Sequence, residues 1–215
     1  MRMRVPKGKP VHENLSTSYV KVGALLADLQ VREFTGYVHI GYRGYDAYVF
    51  LDKGAIIGAI EQTDKASRVG SEAVDGLLVR SEQRDGSVSI YDHASQTVEA
   101  LAGIIDGKIV YQGLSSEFTD LDKLIRKLCK DPETTWYVEA VGAEERAVGV
   151  LYINAGKADG VFSSTDGVSL SGQAALKAML EMSEAGGATY DVYAVAAAEV
   201  TVAPVAEPEP APKRL

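Results

Sequence analysis

The chain is poor in cysteine and lacks a long apolar run, and each absence excludes a class of protein or site. Cys129 is the single cysteine among 215 residues. One thiol excludes an internal disulfide, a CxxC zinc site and a thioredoxin-like redox motif. No apolar run approaches the roughly 18 residues that a membrane-spanning helix needs. Together these absences predict a soluble cytoplasmic protein without a membrane span.

Positive charge is also in short supply. The chain carries 22 Lys and Arg against 30 Asp and Glu, which gives a formal net charge of -8. Because binding to nucleic-acid phosphates is driven by clustered Lys and Arg, this balance argues against DNA or RNA as a partner. The hydrophobic fraction of 46% is ordinary for a globular protein with a buried core.

Recognisable catalytic and metal-binding motifs are missing. None of the three histidines, His12, His39 and His93, has a second ligand at a spacing such as HExxH. There is no GxSxG nucleophile elbow and no GxxxxGK phosphate loop. Carboxylates such as Glu61 are scattered and are predicted to be solvated, and Cys129 is predicted to be an inert thiol. We therefore predict no catalytic, cofactor-binding or metal site, and a protein that is not an enzyme.

Both ends of the chain have a biased composition. Residues 1–12 are basic and contain two prolines and no acidic residue, whereas residues 196–215 are rich in Ala, Pro and Glu. Such segments bury too little apolar surface to offset the entropy lost on ordering. The sequence therefore predicts a basic flexible N-terminal tail over 1–12 and a disordered tail over 196–215.

An internal repeat is the most informative feature of the sequence. LSTSYVKVGALLADL (15–29) aligns with LSSEFTDLDKLIRKL (114–128) at an offset of 99. Both segments place apolar residues at i, i+3, i+4 and i+7, which predicts an amphipathic helix. GSEAVDGLL (70–78) aligns with GQAALKAML (172–180) at an offset of 102.

A third aligned segment contains paired glycines. FLDKGAIIGAI (50–60) aligns with YINAGKADGVF (152–162), so that Gly54 falls on Gly156 and Gly58 on Gly160. An Asp or Asn followed two residues later by Gly is typical of a hairpin turn. Since the charged residue at the tip is not retained in the second copy, we predict a turn and not a ligand-binding loop.

The repeat predicts the fold class. Each copy has the pattern of a helix, three strands joined by tight turns, a second helix and a last strand. The prediction is an α+β protein of two similar units related by internal duplication, each an antiparallel β-meander with helices packed on it. The units span 13–94 and 106–195, with a linking helix over 95–105. Because each unit is small, we expect the two to share a face.

Three segments of the first unit suggest a family. FTGYVHIG, YVFLDKGAIIGA and GSEAVDGLLVRSEQRDGSVSIY resemble the bacterial PATAN-like domain, a module of response regulators and other signalling proteins. Residues 15–92 carry the resemblance, and residues 114–193 match more weakly. The resemblance implies tandem protein–protein interaction modules, a non-enzymatic adaptor or regulator in bacterial signalling or motility control. The implied partner is another signalling protein, such as a small GTPase, a response regulator or a pilus-motor component, and a homodimer is also compatible.

Two groups of residues are candidates for binding a partner. Tyr42 and Tyr45 flank Arg43 at the tip of the first hairpin, and Tyr and Arg are enriched at interface hot spots. Alternatively, these rings pack against the sister unit. The second group is a basic stripe with i, i+3, i+4, i+7 spacing, able to steer an acidic partner or simply forming the solvated face of an amphipathic helix. It consists of Lys123, Arg126, Lys127 and Lys130.

A cleft between the units is an alternative site. Ligand pockets favour interfaces between domains, and a duplicated pair of units creates one. This alternative predicts a sensor that binds a small molecule or nucleotide between the two units.

Overall fold

The computed structural model describes residues 3–83 and 86–196, which form two six-stranded antiparallel sheets with helices. The first unit has the strand order β1-β6-β2-β3-β4-β5. Its elements are β1 (Lys9–Ser16), α1 (Val22–Val31), β2 (Gly36–Tyr42), β3 (Tyr45–Asp52), β4 (Ala55–Thr63), β5 (Ser67–Val69), α2 (Gly70–Arg80) and β6 (Ser87–Asp92).

The second unit repeats this topology. After the connecting helix α3 (Ser95–Gly103), its strands follow the order β7-β12-β8-β9-β10-β11, position by position the same as in the first sheet. The α+β fold of two similar units is thus confirmed. The elements are β7 (Lys108–Ser115), α4 (Leu121–Leu128), β8 (Thr134–Val141), a short 3-10 helix (Ala143–Glu145), β9 (Ala147–Asn154), β10 (Lys157–Ser164), β11 (Ser169–Ser171), α5 (Gly172–Glu184) and β12 (Thr189–Ala196).

The central strands of each sheet bury both of their faces. Alternate residues of a strand point to opposite sides, so Val38 packs towards the helices of the first unit while its neighbour Tyr37 faces the second unit. The shared apolar cluster between the units also contains Tyr137 of β8 and Leu101 of α3. Full burial of such side chains contributes about 1.5–3 kcal/mol each. The two units therefore share a face, as the size of each unit leads one to expect.

The repeated glycines form hairpin turns. Lys53 and Gly54 both have positive φ, at 48° and 81°, and Ala155 and Gly156 repeat this with 48° and 72°. Two successive positive φ values are typical of a type I′ turn, whose twist matches that of the flanking strands. The turn prediction is confirmed, and the ligand-loop alternative has no support here.

The N-terminal segment differs from its prediction. In place of a flexible tail over 1–12, Lys9–Ser16 pairs with β6, and Met3 is buried between the sheets. The backbone N–H of Arg4 donates to Glu139, 3.1 Å away. Composition alone misses this, because β6 and the second unit supply partners that the segment itself does not contain. Of the predicted tail over 196–215, residues 197–215 lie outside the described part of the chain.

A β-bulge shifts the alignment of the two units by one residue. Phe50 pairs with Gly58 and Leu51 with Ile56, whereas β9 and β10 pair without an irregularity. Beyond the bulge the structural offset is 101, so the expected match of Gly58 with Gly160 is wrong. The shift makes Phe162 the structural counterpart of Glu61.

Candidate functional site

A polar cavity of about 590 Å³ lies beneath α2, beside β3, β4 and β5 of the first unit. Residues of the sheet form its floor, and residues of α2 form its wall. We call it the α2 pocket and define it by Tyr45, Glu61, Arg68, Gly76 and Arg80.

A buried carboxylate forms the floor of the α2 pocket. Glu61 is only 4% exposed, so the expectation of a solvated surface carboxylate is wrong for this residue. The hydroxyl of Tyr45 donates to Glu61 Oε2 at 2.9 Å, and the guanidinium of Arg68 forms an ion pair with Oε1. Arg68 can reach it because β5 pairs Arg68 directly with Glu61. Burial raises the pKa of Tyr45 well above its ordinary value, and the hydrogen bond to Glu61 raises it further, so the hydroxyl stays a donor.

The absence of a side chain at Gly76 leaves room for the carboxylate of Glu61. A Cβ atom at position 76 would lie 2.6 Å from both carboxylate oxygens of Glu61, closer than real Cβ contacts. Glycine inside a helix costs about 1 kcal/mol relative to alanine. Its presence within α2 is therefore explained by the approach of the Glu61 side chain.

Arg80 lies over the two tyrosines of the first hairpin. Its guanidinium carbon is 5.1 Å from the ring centroid of Tyr42 and 5.5 Å from that of Tyr45. Both rings are buried in the core of the first unit, while Arg43 between them is exposed. Tyr42 and Tyr45 thus flank the turn as expected, but their rings pack into the first unit and not against the sister unit, and partner binding by Tyr42, Arg43 and Tyr45 stays a prediction. Tyr42 and Tyr45 pair across the two-residue turn, so both side chains point to the helix-covered face.

The second unit fills the same place with apolar residues. The structural counterparts of Tyr45, Glu61, Arg68, Gly76 and Arg80 all belong to its apolar core or pack against it. They are Ala147, Phe162, Leu170, Ala178 and Met182. The fold can therefore close this space without polar groups, so the fold alone does not account for the polar cluster of the first unit.

The outer side of α2 places acidic residues at the rim of the α2 pocket. Glu72 and Asp75 are exposed there and line the opening of the α2 pocket. Arg68, whose side chain is 60% exposed, covers the buried carboxylate from the short edge strand β5. The arrangement is suited to hold a cation on Glu61, with Arg68 as the group now in that position.

The basic stripe on α4 lies in the other unit, away from the α2 pocket. Lys123, Arg126, Lys127 and Lys130 are exposed, opposite an apolar side that is buried. Lys123 pairs with Asp120 at 3.0 Å and Arg126 with an aspartate one turn earlier at 2.8 Å. The structure therefore does not bring the two predicted binding groups together.

The space between the units is largely filled by the shared apolar cluster. A cavity of about 360 Å³ remains at its edge, where Lys7 pairs with Glu13 at 3.1 Å. Glu13 also accepts a hydrogen bond from Tyr91 at 2.6 Å. The charges on this side of the cavity are thus paired with each other.

Metal ligands do not cluster in the described residues: no three His, Cys, Asp or Glu side chains there are placed to hold an ion. Cys129 is half-buried, and burial raises the pKa of its thiol. Among residues 3–83 and 86–196, no helix has the length and apolarity to cross a bilayer.

Sequence reasoning missed Glu61, Arg68, Gly76 and Arg80. Glu61 sits at an inward position of a β-strand, and Gly76 interrupts a helical pattern, which are both signals in the sequence. Because of the bulge in β4, a constant offset aligns Glu61 with Ser163 and not with its structural counterpart Phe162.

Comparison with known proteins gives a family match for the first unit. No curated protein and no solved structure matches the chain. Residues 3–104 match a family model described as an uncharacterized protein conserved in archaea (DUF2226). This overturns the resemblance to a bacterial PATAN-like domain and the bacterial signalling context drawn from it. The resemblance rested on residues such as Gly54 and Gly70, whose positive φ marks turn and helix-start requirements that unrelated folds share.

Proposed function

We propose that the protein is a non-enzymatic recognition module whose α2 pocket binds a cationic side chain of a partner protein. The observation that carries the proposal is Glu61, a buried carboxylate where the second unit has Phe162. Burying a charge is costly unless it is paired, and an apolar replacement is often equally stable. A polar cluster in a place that the fold can fill with apolar groups is therefore best explained by binding.

The ligand class follows from the charges around Glu61. Tyr45 holds one carboxylate oxygen, and the other oxygen faces Arg68. The exposed Arg68 side chain can swing out, which leaves room for a guanidinium or ammonium group of a ligand. Glu72 and Asp75 at the rim would attract such a cation during its approach.

The protonation state of Tyr45 supports binding over catalysis. Because its pKa is raised, the hydroxyl remains a neutral donor and is a poor base. It fixes the orientation of the carboxylate, which favours bidentate contact with a planar guanidinium.

Calorimetric titration of agmatine, which carries both a guanidinium and an ammonium group, tests this proposal. We expect binding to the unaltered chain, at least about tenfold weaker binding to Glu61→Gln, and tighter binding to Arg68→Ala, where the internal competitor is gone. Arg126→Ala is the matched control, because Arg126 is also an exposed arginine and is paired with an aspartate on α4. It should bind agmatine as the unaltered chain does.

Two results would overturn the proposal: equal affinity of the unaltered chain and Glu61→Gln, or weaker binding by Arg68→Ala. A second arm compares agmatine with an acetylated Gly-Arg-Gly amide peptide. Tighter binding of the peptide supports a protein partner, whereas tighter binding of agmatine would point to a free small amine instead.

A further inference from the structure

A second surface lies at the edge of the other sheet. Within residues 3–83 and 86–196, the strand that pairs with β7 is β12, and β7 is exposed along most of its length. It presents three consecutive apolar residues, Ile109, Val110 and Tyr111, which are 46%, 41% and 37% exposed. An exposed strand edge offers unpaired N–H and C=O groups to another strand.

The equivalent edge of the first unit is protected. β1 occupies the position in the first sheet that β7 occupies in the second. Pro10 is the counterpart of Ile109, because Pro10 pairs with Tyr91 and Ile109 pairs with Tyr193, the equivalent residue of β12. Proline has no N–H to offer and is a common means of blocking an edge. Both edges carry register irregularities at matching places, so the irregularities do not distinguish the edges, whereas the proline does.

The open edge is flanked by positive charge. Lys127 Nζ lies 5.5 Å from the ring centroid of Tyr111 and 3.5 Å from its hydroxyl. Lys108 is exposed at the start of β7, and Lys123 and Arg126 lie on the same exposed side of α4 as Lys127. On α1, the positions equivalent to Lys123, Arg126 and Lys127 are held by Ala24, Ala27 and Asp28.

We propose that β7 binds an extended acidic segment of a partner protein as an additional strand. Main-chain hydrogen bonds to β7 would supply the pairing, and carboxylates of the segment would contact Lys108 and Lys127. Two copies of this chain paired through β7 would bring their basic stripes together, so charge favours an acidic partner over self-association. This surface is independent of the α2 pocket.

Fluorescence anisotropy with two labelled peptides tests the proposal on the full-length chain. The acidic probe EVTVEVT should bind, and the basic probe KVTVKVT should bind at least about tenfold more weakly at low salt. Lys127→Glu should reduce or reverse this preference. Lys177→Glu is the matched control, because Lys177 is an exposed lysine paired with a glutamate on α5, and it should change nothing.

Ile109→Pro reproduces the protected edge of the first unit and should abolish binding of the acidic probe, with circular dichroism to verify folding. Equal affinity for the two probes, or no change in Lys127→Glu, would overturn the proposal even if Ile109→Pro does not fold. A dimer in light scattering that Lys127→Glu strengthens would also overturn it, in favour of a second copy on β7.

Discussion

Gly76→Ala is expected to lower the free energy of unfolding by about 2 kcal/mol, although alanine normally stabilises a helix interior by about 1 kcal/mol. The added Cβ would lie 2.6 Å from both carboxylate oxygens of Glu61. The buried carboxylate would have to leave Tyr45 or Arg68, and breaking a buried charge pair costs several kcal/mol. Urea unfolding followed by circular dichroism measures the change.

A double-mutant cycle assigns this effect to Glu61. In a Glu61→Ala background the obstacle is gone, so Gly76→Ala should stabilise the protein by about 1 kcal/mol. The matched control is Ala178→Gly at the equivalent position of α5, where the ordinary helix rule predicts a loss of about 1 kcal/mol. If the effects of Glu61→Ala and Gly76→Ala simply add, the account of the α2 pocket is wrong.

Stability should fall by about 3 kcal/mol between pH 4.5 and pH 7 because of a second buried carboxylate. Burial raises the pKa of Glu139 to about 7, and the nearby Asp191 also raises it. The hydrogen bonds donated by the backbone N–H of Arg4 and by the hydroxyl of Tyr193 lower this pKa, but by less. The folded state therefore holds this proton up to about pH 7, whereas the unfolded state releases it near pH 4.5. The unfolded state binds fewer protons in this window, so raising the pH favours unfolding.

Glu139→Gln isolates this contribution from other titrating groups, including His93, whose pKa is lowered by burial. The variant should be about 3 kcal/mol more stable than the unaltered chain at pH 8 and within about 1 kcal/mol of it at pH 4. The exposed Glu133→Gln serves as control. Parallel stability curves for Glu139→Gln and the unaltered chain across this range would exclude the predicted protonation.

The sequence predicts the duplicated fold because the decisive signals are local. Gly54 and Gly156 specify the same turn, and the apolar stripes around Leu26 and Ile125 specify the same helix. The place of β1 could not be predicted in this way. Its partner β6 is more than 70 residues away, and a composition argument on residues 1–12 does not include that partner.

The candidate site could not be predicted from the sequence, because its residues come together through a β-bulge and through non-local packing. The bulge at Ile57 in β4 moves Glu61 out of the simple alignment, and its burial then depends on a non-local contact with Gly76. Tyr42 and Tyr45 flank a turn, but whether their rings point to solvent or to the helices depends on which face of the sheet is covered. That face is decided by packing and not by the hairpin.

Urea unfolding with and without agmatine, applied to a variant that carries the apolar residues of the second unit, shows whether the α2 pocket is there for binding or for stability. The substitutions are Tyr45→Ala, Glu61→Phe, Arg68→Leu, Gly76→Ala and Arg80→Met. We expect this variant to fold at least as stably as the unaltered chain, and agmatine to stabilise only the unaltered chain. A variant that does not fold, or one that agmatine stabilises equally, would contradict this expectation.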